Sequence, residues 1–272
     1  MPFYSAPLSS DKLLLVVETG NTTTSIVLFK GDVCVEFRKV SSVGSSEMDE
    51  IAGVLQQLVL TYPDLRDAAV CSVVPSLEES AVSSLGRYLR GRVVTINSTM
   101  RLPFRLHYDI PESFGADRIA LCAFSQQLYP EEAVIALDIG TAITVDVLNS
   151  RGGYIGGLIM PGLDLMAKAL HEHTARLPLV ALNKPEAFLG CSTADCIRSG
   201  IIHGSVSGLE GLVRKISSRL CDEHNESRIR VIATGGNASL VASMLDSFSV
   251  VDELAVVKGT RYLFELNVHC LS

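Results

Sequence analysis

Two short turns carry carboxylates, glycines and hydroxyls in nearly the same order. The first reads Glu18-Thr19-Gly20-Asn21-Thr22-Thr23-Thr24-Ser25; the second reads Asp138-Ile139-Gly140-Thr141-Ala142-Ile143-Thr144. From Glu18 to Thr24 they align without gaps. Glycine lets a backbone approach a ligand closely, and hydroxyls with backbone N–H groups offer donors to phosphate oxygens. A carboxylate at the strand end can hold Mg²⁺ directly or through its waters. One such turn alone reads better as a hairpin with a polar tip. The second copy is what favours phosphate chemistry. A third carboxylate, Asp117, stands two residues after Gly115 at a predicted helix start, where the helix dipole favours its ionised form and a hydroxyl proton could be accepted. Arg118 beside it suits paired hydrogen bonds to a substrate carboxylate, with an ordinary N-terminal salt bridge as the alternative.

Other pairings carry less chemistry. Cys191-x4-Cys196 has no second pair facing it, so buried thiols outweigh a zinc site. His171-Glu172-His173 puts the two imidazoles on different helix faces, which reads as a solvated helix end.

The elements needed to position the turns are legible. Residues 13–17 form an apolar run long enough for a buried strand, 23–29 return as a second strand, and 32–40 read as a third that alternates around Val33, Val35 and Phe37. Ser45-Ser46-Glu47 supplies helix-start chemistry for residues 48–61, where Ile51, Val54, Leu55 and Leu58 recur at helical spacing. A buried strand at 67–74 stops at Pro75, then come helix 77–90, strand 92–96, an irregular stretch to 114 broken by Pro103 and Pro111, and helix 115–128. The second half repeats this order: strands at 132–137, 143–148 and up to 159, a helix at 163–174, and a longer helical region from 193 through Ile216. Strand 228–234 ends in Gly235-Gly236, followed by helix 238–245, strand 249–251 and a last helix, 253–266. A unit of this length, present twice, reads as two domains, 12–130 and 131–268, rather than a solenoid. Facing each other, they would place two phosphate turns around one cleft.

Composition limits the classes. At 272 residues, 47% hydrophobic, 19% charged and mean hydropathy +0.32, the chain can bury a large core and leaves little room for disorder. No apolar run reaches membrane-span length, and residues 1–12 read as a short tail rather than a signal peptide. A net charge of −7 without a basic stripe argues against a nucleic-acid partner. Seven cysteines at scattered spacings argue for reduced thiols in a cytosol.

Two β-β-β-α-β-α-β-α halves with acidic, Gly/Thr-rich turns resemble the actin-like, sugar kinase and Hsp70 ATPase superfamily. Within it the chain resembles the type III pantothenate kinases along nearly its whole length. The residues that carry the match are Glu18-x-Gly20-Asn21-Thr22, Ser72-Val73-Val74-Pro75, Gly115-Ala116-Asp117-Arg118 and Asp138-x-Gly140-Thr141-Ala142. Gly156-Gly157, Pro161-Gly162-Leu163, Leu177-Pro178, Thr193 seven residues before Gly200, and Thr234-Gly235-Gly236 complete the set. The resemblance implies an α/β fold of two duplicated actin-like (ribonuclease H-like) domains, each a mixed five-stranded sheet with helices, and a cleft between them. It implies a cytoplasmic homodimer that phosphorylates pantothenate to 4′-phosphopantothenate with ATP and Mg²⁺, the first step of coenzyme A biosynthesis. Residues 18–25 (Glu18, Thr19, Gly20, Asn21, Thr22, Thr23, Thr24, Ser25) and Thr141 are then the ATP and phosphate contacts. Asp117 is the expected base, with Tyr108, Gly115, Ala116 and Arg118 lining the pantothenate site and Thr193 reaching it from the neighbouring subunit. Asp138 matches a site for K⁺ or NH₄⁺. From the residues alone, Thr193 is equally a helix N-cap, and Gly235-Gly236 equally a tight strand-to-helix connection or an approach to adenine or ribose.

The family usually carries Asp where this chain has Glu18, an extra methylene that displaces the carboxylate by about one bond length; a loss of ~1 Å in positioning can lower a rate ~100-fold. Two further readings are a non-catalytic regulator like the Bvg accessory factors, and a superfamily kinase for another small hydroxylated substrate.

Overall fold

The apolar run ahead of the first turn is strand β1 (Leu13–Thr19), and it lacks polar alternation because both of its faces are covered. A computed structural model describes residues 12–42, 47–245 and 247–268. β1 pairs antiparallel with β2 (Thr23–Lys30), which pairs antiparallel with β3 (Val33–Ser41). On its other side β1 pairs parallel with β4 (Asp67–Ser72), and β4 with β5 (Val93–Thr95). The sheet order is therefore β3-β2-β1-β4-β5. Helices α1 (Glu47–Thr61) and α2 (Pro75–Tyr88) cover one face, where Leu55 and Leu85 pack on Leu15, Val17, Ile26 and Leu28. The predicted cap at Ser45-Ser46 lies outside the described residues. Pro75 does more than stop a strand: it is the first residue of α2, where its missing N–H costs nothing. In β3, Val33, Val35 and Phe37 are all exposed, so the alternation seen in the sequence marks the outer side of an edge strand.

The second sheet repeats the first. β6 (Ala133–Ile139) pairs antiparallel with β7 (Ala142–Leu148), and β7 with β8 (Tyr154–Pro161). β6 also pairs parallel with β9 (Ile229–Thr234), and β9 with β10 (Val250–Val251). Its order, β10-β9-β6-β7-β8, matches the first sheet strand for strand. Ile135, Leu137 and Ile139 pack beneath α4 (Leu163–Glu172), the 32-residue α5 (Thr193–His224) and α6 (Ala238–Ala242).

Two boundaries differ from the sequence reading. The last helix, α7 (Ala255–Val268), was expected in the second domain; instead Val257 and Phe264 pack on Leu14, Val16, Val27 and Phe29 of the first sheet. The compact units are accordingly the chain to Leu128 together with the stretch from Leu254, and Tyr129–Glu253. The gapless alignment also fails beyond the glycines. Glu18 pairs with Ser25, whereas Asp138 pairs with Thr144, so the first turn is one residue longer and Ser25, not Thr24, is the counterpart of Thr144. Among the described residues no helix is long and apolar enough to cross a membrane.

Candidate active site

The first turn closes through the Gly20 N–H, which donates to Thr23 O at 2.9 Å. Asn21 and Thr22 are exposed at its tip, and Glu18, Gly20 and Thr23 are half-buried. Thr19 and Thr24 are different. Both are buried, and Thr24 Oγ1 lies 3.3 Å from Thr19 Oγ1 and 2.8 Å from Ser42 Oγ. Their expected hydroxyl contacts to phosphate are therefore spent inside the turn, because strand pairing directs these side chains into the sheet's covered face. Ser25 is also largely buried, opposite Glu18. The surface that can meet a ligand narrows to residues 20–23 and the Glu18 carboxylate.

Glu18 shares a face of the sheet with Cys71, its register partner on β4. Burial pushes the Cys71 thiol well up, and the charges of Glu18 and then Asp117 push it further, against a hydrogen bond from Thr260. Both carboxylates thus act on one buried thiol. Asp117 comes from α3 (Ala116–Leu128), a helix buried on nearly every side. Its Oδ1 accepts the Arg118 N–H at 2.7 Å, which fixes the carboxylate at the positive end of the helix. Glycine at 115 leaves the room this requires, since a methyl there would come within 2.5 Å of Asp117 Oδ1. Arg118 is buried, with Cζ 4.3 Å from the Phe114 ring centroid and 5.8 Å from that of Tyr108. Tyr108 and Phe114 meet edge to face at 5.0 Å. Tyr108 is thus brought beside Arg118 and Phe114, next to Gly115, Ala116 and Asp117, within one unit. Nothing in the sequence marks Phe114 or Cys71 except their nearness to motif residues. The Ser72-Val73-Val74-Pro75 motif builds the start of α2: Ser72 Oγ accepts the Val74 N–H at 3.1 Å, and Val73 N–H donates to Thr19 O at 3.1 Å.

In the second unit the Gly140 N–H donates to Ala142 O at 3.0 Å, leaving Thr141 exposed at the tip and Asp138 half-buried at the strand end. Gly162 closes on this turn: its N–H donates to Thr141 O at 3.0 Å, and a methyl there would fall on the carbonyl oxygens of Gly140 and Thr141. Gly235 packs from the other side with φ +95°. A methyl at this position would fall on Asp138 Oδ1 and lie 2.6 Å from the Ile139 carbonyl carbon. Close approach to Asp138 therefore accounts for Gly235, while Gly236 faces open space. Thr193 is not the helix cap. Ser192 is, with its Oγ accepting the Asp195 N–H at 3.1 Å, and Thr193 begins α5 at the margin of an apolar hollow of about 1000 Å³. That hollow lies among β8, α4 and α5 and contains neither Asp138 nor Thr141. Cys191 and Cys196 are exposed, not buried as the sequence suggested, with Cys196 Sγ donating to Gly190 O at 3.2 Å, and His171 Nδ1 stands 2.9 Å from Leu177 O.

Two sheets of matching order, each with an acidic, glycine-bearing turn after its central strand, define an actin-like fold. Solved structures of that fold include a candidate Baf family transcriptional activator from Campylobacter jejuni (TM-score 0.59, 18% identity, 94% of this chain and 99% of that one). A candidate 2-dehydro-3-deoxygalactonokinase from Sinorhizobium meliloti is similar in fold (TM-score 0.58, 10% identity, 93% and 98%). The family model for type III pantothenate kinase matches residues 14–215. Relatives of that name are 50% identical in Chlorobium luteolum (93% of this chain, 94% of the relative) and 46% identical in Chlorobium chlorochromatii (95% and 98%). One from Thermobifida fusca is 33% identical over 94% of this chain and all of its own length. The chain belongs to the type III pantothenate kinase family.

Proposed function

We propose that this chain transfers the γ-phosphoryl group of ATP to the terminal hydroxyl of pantothenate, giving 4′-phosphopantothenate and ADP at the entry to coenzyme A biosynthesis. The observation that carries the reading is the gathering, in one unit, of the Glu18 turn, a helix-start carboxylate at Asp117 and the buried Arg118 between two aromatic rings. Arg118, with Tyr108, Gly115 and Ala116, holds pantothenate by its carboxylate and orients its hydroxyl toward Asp117. The hydroxyl oxygen attacks the γ-phosphorus, the bond to the β,γ-bridging oxygen breaks, and the hydroxyl proton passes to Asp117. Backbone N–H groups of residues 21–23 are offered to phosphate at the first turn, where the Gly20 N–H is already used by Thr23 O, and the Thr141 hydroxyl is the ATP contact that the second turn offers. A retained base and substrate cradle favour catalysis over a regulator built on the same fold.

The donor sets fit the cations that the family implies. Glu18, half-buried beside the exposed Asn21 and Thr22, offers hard oxygen ligands suited to the Mg²⁺ that accompanies ATP and neutralises phosphate charge. Among the described residues no three His, Cys, Asp or Glu side chains gather as a metal site. A K⁺ or NH₄⁺ ion at Asp138 would be held by that half-buried carboxylate, with neutral oxygens completing its shell.

A homodimer fits the second unit. Gly200, Gly204 and Gly208 line the hollow on α5, each with open space where a methyl would stand, between Met166, Leu170 and Ile197. Thr193 lines this hollow, consistent with the role the family resemblance implies for it at the neighbouring subunit's substrate. Light scattering is expected to give twice the 29.2 kDa chain mass, and Gly204→Leu, which fills the hollow, to shift it toward one chain. A cytoplasmic enzyme with no nucleic-acid partner accords with the net charge of −7.

The direct test is turnover of ATP with pantothenate, with and without K⁺ or NH₄⁺. Stimulation by either ion is expected; no phosphorylated pantothenate under any cation overturns the reading. Asp117→Asn is expected to bind pantothenate while kcat drops by about 100-fold or more, and a near-normal rate would reassign the base.

A further inference from the structure

Phe114 lies between the irregular stretch and the substrate cradle, and it touches both side chains proposed to recognise pantothenate. A 3-10 turn, Pro111–Ser113, sets its place: the Phe114 N–H donates to Pro111 O at 3.1 Å, and its backbone is extended at φ −77° and ψ 119°. The ring is 4% exposed. Above it lies the Arg118 guanidinium, 4.3 Å from the ring centroid. Against it lies the Tyr108 ring, edge to face at 5.0 Å with 72° between planes, and 37% exposed.

We infer that Phe114 is a positioning residue for substrate recognition, the buried platform that orients the Arg118 fork toward the pantothenate carboxylate and seats Tyr108 at the rim. The inference rests on the pantothenate reading. A guanidinium over a ring is attracted through the ring's face, an interaction that consumes no N–H donor, and a carboxylate is planar and accepts such donors in pairs. Without the ring, Arg118 keeps its charge and loses its fixed direction. An aliphatic residue of similar bulk fills the space yet lacks the π-face. The same ring also presents an edge-to-face partner to Tyr108, a contact an aliphatic side chain does not reproduce.

The test compares pantothenate with its analogue in which a primary alcohol replaces the carboxylate, using the full-length protein. The readout is the ratio of kcat/KM for the two substrates, measured on one preparation and therefore independent of its folded fraction. Phe114→Leu is expected to lower this ratio about tenfold, about 1.4 kcal/mol, through the KM for pantothenate, with kcat and the KM for ATP little changed. Phe114→Tyr, which keeps the ring face, is expected to preserve it. A ratio unchanged in Phe114→Leu, or lowered equally in both variants, overturns the inference while pantothenate turnover by the unaltered protein stands. No pantothenate turnover by the unaltered protein overturns the substrate reading, and the inference with it.

Discussion

Glu18 stands where the family resemblance implies Asp, and its surroundings show how the longer side chain is accommodated. A methyl at Gly20 would stand 3.7 Å from Glu18 Oε1, and one at Gly140 would stand 3.4 Å from Asp138 Oδ1. The longer side chain therefore folds back so that its oxygen ends beside its turn glycine, much as the shorter one does in the second unit. Holding a flexible glutamate there costs side-chain freedom that aspartate would not lose. Glu18→Asp is accordingly expected to raise kcat or lower the ATP concentration needed for half-maximal rate, by no more than ~100-fold. Steady-state kinetics against Mg·ATP checks it, and a variant that moves neither parameter removes Glu18 as a constraint on the rate. The sequence placed the carboxylates but not the hydroxyls. Nothing in Thr19-Gly20-Asn21-Thr22-Thr23-Thr24 shows that Thr19 and Thr24 turn inward to bond one another and Ser42; that follows from strand pairing.

At the scale of elements, Asp117, the proposed base, depends on a helix crossing. α3 and α7 meet at Gly259, where a methyl would fall on the Ala120 carbonyl oxygen, 2.6 Å from its carbon and 3.2 Å from Phe124 Cβ. The backbones approach so closely that no side chain fits between them. Gly259→Ala is expected to push α3 away, to cost about 1–3 kcal/mol in thermal stability, and to lower kcat because Asp117 rides on the N-terminus of α3. A thermal melt read beside kcat checks both; a fall in melting temperature with full activity would separate the crossing from the base. Element order and type were largely legible, because buried strands and amphipathic helices leave different periods. The length of each turn was not. A one-residue difference between Glu18–Ser25 and Asp138–Thr144 disappears in a gapless alignment and appears only in the register of the paired strands.

At the scale of the whole molecule, the chain returns after its second unit to finish the first. α7 completes the first sheet's cover and carries a buried ionic group with it. Arg261 donates from Nη1 to Gly31 O at 2.6 Å, meets Asp32 Oδ1 at 2.6 Å, lies over Phe29, and holds its Nε 3.6 Å from Glu265 Oε1. Burial raises the Glu265 carboxyl from 4.5 to about 7, with Arg261 opposing the rise and Asp32 adding to it. A carboxyl with a raised folded-state pKa binds its proton more tightly folded than unfolded, so stability declines as pH rises from 4.5 toward 7. Relative to Glu265→Gln, the unaltered protein is expected to lose on the order of 3 kcal/mol between pH 4 and pH 8. Denaturant unfolding of both proteins across that range checks it, and parallel pH profiles would assign the slope to other groups.

The sequence by itself determined the duplication, the strand and helix order, the family and the positions of Asp117, Asp138 and Glu18, because each is written in contiguous residues with a period or a fixed spacing. Only the tertiary structure decided which turn hydroxyls face outward, that Gly235 and Gly162 make room around the second turn, that Phe114 underlies Arg118, and that residues from 254 belong with the first unit. Those facts depend on contacts between residues far apart in the chain, which local patterns do not encode. The two acidic turns illustrate the division: their repeated letters announced phosphate chemistry, and strand register showed that the first is longer by one residue and offers fewer groups than it spells.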